Sequence, residues 1–160
     1  ENKSDSARCD NVEVFDMGLP SKTWWSLKYL EDEMGNKKYL SYPDASKLGL
    51  PTLEQVEELI MCGRWKGRYS STRLSFYGAD CQGPSGNIIK CNSSGYKEVE
   101  RSVGLPQFGG GTAYFWIQND EEGYEKNAIK IYDVEDDKPK IEIVKLFSGY
   151  RLPVMLVRNK

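Results

Sequence analysis

The stretch Leu50-Pro51-Thr52-Leu53-Glu54-Gln55-Val56-Glu57-Glu58-Leu59-Ile60 carries the clearest periodicity in the chain. Thr52 suits a helix N-cap, because its hydroxyl can accept a hydrogen bond from an orphan backbone N–H. Gln55, three residues on, can reach back to the cap and complete a capping box. Glu54 sets negative charge in the positive first turn. Leu53, Val56, Leu59 and Ile60 recur at helical spacing and define one apolar face, and Gly63 follows as a stop. The pattern predicts one main helix over about 52–62. Glu54, Glu57 and Glu58 lie away from the apolar face and read as solubility and capping charges. Everything beyond the helix reads as strands and turns, so the expected fold is α+β. Mostly antiparallel strands and hairpins would pack on this helix, with long irregular loops between them.

At 160 residues the chain suits a single domain. A chain of this length buries roughly two-thirds of its unfolded surface, enough for a core without metals or disulfides. Residues 1–11 are polar and aperiodic and read as a flexible N-terminal tether, with 12–160 as the domain. The formal net charge of -2 gives no reason to expect nucleic acid. No apolar run is long enough to span a bilayer.

The chain has no histidine. That removes Ser-His-Asp and Cys-His nucleophile systems and most catalytic zinc sites, and any proton transfer falls to Asp, Glu, Lys, Tyr or Cys. Cys9, Cys62, Cys81 and Cys91 include no C-x-x-C pair. Their even number fits an oxidising compartment, and four free buried thiols fit equally. Cys81 and Cys91 flank the turn Gly83-Pro84-Ser85-Gly86-Asn87 and are the expected bridge across a hairpin.

Val12 to Met17 alternates as a strand, and Gly18 to Ser21 turns the chain. Trp24 and Trp25 are adjacent in a β-prone stretch, so they face opposite ways. One suits the core and the other a surface platform or a place under a loop. Pro43 to Gly49 suits a short helical turn. Arg64-Trp65-Lys66-Gly67-Arg68-Tyr69 interleaves basic and aromatic residues. It reads either as an anion or glycan patch or as an ordinary exposed loop with Trp65 against the core. Asn92 to Gly111 is rich in Gly, Ser and Pro and reads as a long irregular loop. Thr112 to Ile117 is a dense β run. Gln118-Asn119-Asp120-Glu121-Glu122-Gly123 is an acidic turn whose oxygens offer a weak Ca²⁺ site at Asn119, Asp120 and Glu121, or simply a solvated turn. No other cofactor is indicated. The apolar phase of the strand from Lys140 to Phe147 changes between Ile143 and Val144, which predicts a bulge. The run Leu152 to Val157 is almost continuously apolar and predicts a buried strand, with Pro153 at an edge or bulge.

Taken in order, these segments resemble a known family. Val14-Phe15-Asp16-Met17-Gly18-Leu19-Pro20-Ser21-Lys22-Thr23-Trp24-Trp25 is similar to the opening of the Fibrobacter succinogenes major paralogous domain. Leu50-Pro51-Thr52 and the helix after it resemble that family's Leu-Pro-Thr helix, and Cys62 and Trp65 its Cys and Trp. Gly83-Pro84-Ser85-Gly86-Asn87-Ile88 resembles its Gly-Pro-Asn-Gly-Asn hairpin, Tyr114-Phe115-Trp116 its aromatic strand, and Gly149-Tyr150 its closing strand. The chain departs from the family at Ile117-Gln118-Asn119-Asp120, where a Ser-rich stretch is usual, and at Leu152-Pro153-Val154. The resemblance spans residues 12–157 and implies a C-type-lectin-like fold. It also implies an exported or envelope-associated protein of Bacteroidetes-type bacteria, such as a lipoprotein anchored through a removed N-terminal signal. Formylglycine-generating enzymes are distantly similar, but their reactive cysteine pair has no counterpart here.

The expected function is therefore a non-catalytic extracellular or envelope-associated module that binds a protein or glycan. Its candidate ligand-binding residues are Arg64, Trp65, Arg68, Tyr69 and Trp116. The alternatives are a carboxylate-dependent glycan-processing enzyme, which needs a facing acid pair, and a structural envelope protein with no small ligand.

Overall fold

A computed structural model describes residues 6–9, 12–69, 76–94, 112–135 and 138–159. It is mostly antiparallel β, with two short helices and three small sheets. The first sheet joins β1 (Ser6–Cys9), β2 (Val12–Asp16), β3 (Thr23–Trp25) and β10 (Val157–Asn159), in that order. The second is the meander β4 (Arg64–Tyr69), β5 (Phe76–Gln82) and β6 (Ile88–Asn92). The third is β7 (Ala113–Trp116), β8 (Glu125–Glu135) and β9 (Lys138–Phe147). Helix α1 is one turn, Tyr42–Ala45, and helix α2 spans Leu53–Cys62.

Helix α2 forms as its sequence dictates. Thr52 Oγ1 accepts from Gln55 N, and Gln55 Oε1 accepts from Thr52 N, so both halves of the capping box are made. Val56 and Leu59 are buried, with Leu53 and Ile60 packed beside them. Gly63 ends the helix for a reason other than left-handed backbone: its φ of -88° is ordinary. A Cβ there would sit 2.2 Å from Cys81 Sγ, so glycine is required by the close approach of β5. Glu58 is more than a solubility charge. Its carboxylate accepts from Ser21 N at 2.9 Å and Ser21 Oγ at 2.6 Å, which ties the helix to the turn before β3.

The third sheet is a wall between two cores. Along β7, Ala113 and Phe115 point into the first core, and Tyr114 and Trp116 into the second. On β8, Ile129 and Ile131 join the first and Ala128 the second. This explains the phase change on β9. The β8–β9 register runs unbroken through Ile129↔Ile143 and Ala128↔Val144, so the expected bulge is absent there; the one irregularity falls between Asp133 and Glu135. Ile141 packs on the first core, while Val144 and Leu146 pack on the second. The strand is covered on one face and then on the other, and its apolar residues change parity accordingly.

The same division orders the C-terminal segment. Leu152, Val154 and Leu156 face the second core, and Met155 and Val157 the first. The segment is buried, as its composition predicts, yet only Val157–Asn159 is ladder strand. The rest is held by single backbone bonds, Ser26 N to Leu156 O at 2.9 Å and Leu30 N to Val154 O at 2.8 Å, with Leu40 and Leu152 exchanging both. Pro153 is accommodated because no ladder passes through it. Of the expected tether, Ser6–Cys9 is strand, paired antiparallel with β2 from Val12 to Phe15. Trp24 and Trp25 are both buried, so neither forms a surface platform.

Candidate functional site

The Arg64–Tyr69 stretch is a strand, not a loop, and that separates its residues. Trp65 and Tyr69 pack against the first core, with Trp65 Nε1 donating to Leu59 O at 3.3 Å. Tyr69 meets Phe76 edge-on, with ring centroids 5.6 Å apart. By strand alternation Arg64, Lys66 and Arg68 lie on the other face. The basic and aromatic residues therefore form no interleaved patch. Arg68 is also committed: its Nε bonds Asp80 Oδ1 at 2.8 Å, and its guanidinium donates to Asn92 Oδ1.

Trp116 lies in the second core, fully buried, 5.5 Å from the Tyr42 ring, with Nε1 donating to Leu40 O at 2.8 Å. A ligand has no access to it. Asn119 is buried beside the same tyrosine: Tyr42 Oη donates to Asn119 O and accepts from Asn119 N. Asn119 Oδ1 accepts from Glu121 N, and the Glu121 carboxylate meets Lys145 at 3.4 Å. Asp120 is exposed. The acidic turn thus spends two of its oxygens on its own backbone and on a lysine. Among the described residues no group of three or more Cys, Asp or Glu could hold a metal ion.

The expected bridge is not formed; Cys62, Cys81 and Cys91 are free thiols. The hairpin is as expected, but Cys81 pairs with Ile89 and Cys91 with Ala79. The two cysteines share a face at a diagonal, where Cα atoms stand roughly 7–8 Å apart, too far for a disulfide. Burial pushes the Cys81 thiol up to about 12. Burial also raises Cys91, helped by neighbouring Cys81 and Asp80. Both are core residues with little thiolate at neutral pH.

The long irregular loop expected at Asn92 to Gly111 falls largely on 95–111, outside the described residues. The two ends of that segment are firmly placed. Ser94 N donates to Thr112 O at 2.9 Å, and Ser94 Oγ accepts from Tyr114 N. Tyr29 Oη bonds Asn92 O, Lys37 Nζ bonds Ser93 O, and Tyr39 Oη bonds Ser94 O. Burial raises the Tyr29 phenol well above its ordinary range, with Cys91 and Tyr39 adding to it. Burial lowers Lys37.

A concave site lies elsewhere, in a groove of about 1140 Å³ between β2, the segment 26–38 and β6. Its apolar surface comes from Phe15, Leu27, Leu30 and Ile88, with Met34 at the rim. Ile88 is 40% exposed and Met34 85%. Met34 stands at the tip of a small hairpin closed by the Glu31↔Lys37 bridge. Asp32 Oδ1 holds that tip by accepting from Met34 N and Asn36 N. Lys28 pairs with Glu31 at 3.1 Å. Lys38, Lys90, Glu13 and Glu33 also line the groove, and none forms an ion pair among the described residues. No candidate residue from the sequence lies here. The groove's residues are scattered from Glu13 to Lys90, and the nearest sequence signal was the charge run Glu31-Asp32-Glu33.

No protein-family model, curated protein or solved structure matches this chain. Among the described residues, no helix is long and apolar enough to cross a membrane.

Proposed function

We propose that this chain is a non-catalytic, exported or envelope-associated binding module with a C-type-lectin-like fold, and that its ligand is a protein rather than a glycan. The observation that carries this is the groove at Phe15, Leu27, Leu30 and Ile88. Its volume exceeds the roughly 300–1,000 Å³ usual for small-molecule pockets. Sugar platforms need an exposed aromatic face, and the aromatics here are half-buried Phe15 and buried Tyr29. The lining charges are of both signs, Lys28, Lys38 and Lys90 beside Glu13, Glu31, Asp32 and Glu33. That complements a polypeptide carrying both signs and favours neither a polyanion nor an anionic headgroup.

The fold assignment draws support from contacts among the motifs behind the family resemblance. Ser85 N donates to Met17 O at 3.1 Å, and Ser85 Oγ and Asn87 Nδ2 donate to Asp16 O. A Cβ on Gly83 would sit 2.3 Å from Met17 O. The Gly-Pro-Ser-Gly-Asn turn is therefore seated on the Asp-Met-Gly turn, and Glu58 joins the adjacent Ser21 to helix α2. Motifs far apart in sequence are mutually bonded, which gives their joint occurrence a physical reason.

The test is to pan a library of short random peptides on the protein and to probe a glycan array in parallel. The expected result is peptide binding that Ile88→Asp and Lys90→Glu abolish, with circular dichroism unchanged. Glycan binding indifferent to both substitutions would overturn the reading.

A further inference from the structure

We infer that the groove takes its ligand as an added β-strand, paired with the open edge of β2; this rests on the protein-binding reading above. The observation is a split in the first sheet. β2 runs from Val12 to Asp16, and β1 pairs with it from Val12 to Phe15. On its other edge β3 meets it at only two positions, Phe15↔Trp25 and Asp16↔Trp24. Beyond Trp25 the chain leaves β2. Ser26 N bonds Leu156 O and Leu30 N bonds Val154 O, so 26–30 follows the C-terminal segment instead. The edge of β2 over Val12, Glu13 and Val14 has no strand partner on that side among the described residues. That is roughly 10 Å of open ladder at the usual rise per residue.

The groove lies at this split. Glu13 and Phe15, alternate residues of β2, line one side. Ile88 and Lys90, alternate residues of β6, line another, and β6 is fixed to the splayed segment by Lys90 N donating to Leu27 O at 2.8 Å. Both walls thus present side chains with a period of two, the spacing of an extended peptide. Alternate side chains of such a peptide meet Phe15, Leu27 and Ile88, and its charges meet Glu13 and Lys90. Main-chain hydrogen bonds to β2 supply affinity that depends little on sequence, while the apolar and charged positions supply selectivity. A loop or helical ligand would leave the open amides of β2 unpaired.

The experiment takes a peptide recovered from the random library and replaces each backbone amide in turn by its N-methyl form. Strand addition predicts losses at every second position, about tenfold each, the scale of one lost hydrogen bond. It also predicts slowed deuterium exchange at one or more of the amides of Val12, Glu13 and Val14 on binding. A peptide that Ile88→Asp abolishes, yet that shows no alternation and no such protection, overturns strand addition and leaves the groove reading standing. Failure of the library to yield any peptide sensitive to Ile88→Asp or Lys90→Glu overturns the groove reading itself.

Discussion

The two cores flanking the third sheet are assembled differently. The first is covered by regular structure: the capped helix α2 and the β5–β6 hairpin. The second is covered by one helical turn, the chain around Leu40–Leu50 and the C-terminal segment, joined by isolated backbone contacts such as Tyr42 N to Ser148 O and the doubly bonded pair Leu40 and Leu152. Both exclude water from large side chains; Phe115 on one side and Trp116 on the other are fully buried. Dense packing does not require regular backbone, provided that the backbone polar groups left by the irregular chain find partners. In the second core those partners are side chains as well as backbone: Trp116 Nε1 for Leu40 O, and Tyr42 Oη for both Asn119 N and Asn119 O.

Neighbouring truncations test this contrast most severely. Phe115→Ala and Trp116→Ala should each cost about 3–5 kcal/mol in urea unfolding. Trp116→Ala should be the worse, because it also removes one of the two donors to Leu40 O, leaving only Leu152 N. A loss under about 1 kcal/mol for Trp116→Ala would show that the irregular side is no true core. Alkaline pH acts mainly on the first core. Burial favours the protonated thiols of Cys81 and Cys91, so their contribution is complete below the ordinary thiol value of 9.0. It is lost as pH climbs toward about 12, where Cys81 ionises in the folded state. Tyr29 adds to the loss above its own ordinary value of 10.0, whereas Lys37, lowered by burial, works the opposite way. Chemical unfolding against pH should show the decline, and Cys81→Ala with Cys91→Ala should shrink it. A profile identical to the parent's would rule the thiols out.

Smaller changes sharpen the comparison. Tyr42→Phe strands two backbone groups of Asn119 and should cost about 1–3 kcal/mol. Thr52→Ala removes one half of the capping box and should cost about 1 kcal/mol. Should the order of these two be reversed, side-chain bonding would matter less to the irregular core than capping does to the regular one.

Legibility in the sequence follows the same line. Helix α2 was readable because its cap, its charge and its apolar spacing are local. So was the β5–β6 hairpin, whose turn residues are local too. β4 was not, because alternation of basic and aromatic residues fits a loop patch as well as a strand until β5 is known to lie beside it. The apparent bulge on β9 was a change of core, visible only once the sheet is seen to have two covered faces. Trp116 and Asn119 read as site residues because aromatic and amide groups serve surfaces and cores alike. The groove had no local signature: its walls come from β2, the splayed segment after β3, and β6, and among the described residues β3 pairs with β2 at only two positions before turning away.

The pairing of β3 with β10 bears on the order in which the fold can close during synthesis. Trp25 lies opposite Val157, and Ser26 is bonded to Leu156 on both backbone and side chain. The first sheet therefore holds some of the earliest and latest residues of the described chain side by side. Helix α2 and the meander of β4 to β6 involve nearby partners and can form while translation proceeds. Trp25, by contrast, gains its β10 partner only once residues 157–159 are made. Closure of the first sheet is thus a non-local step, and residues 152–159 act as its latch.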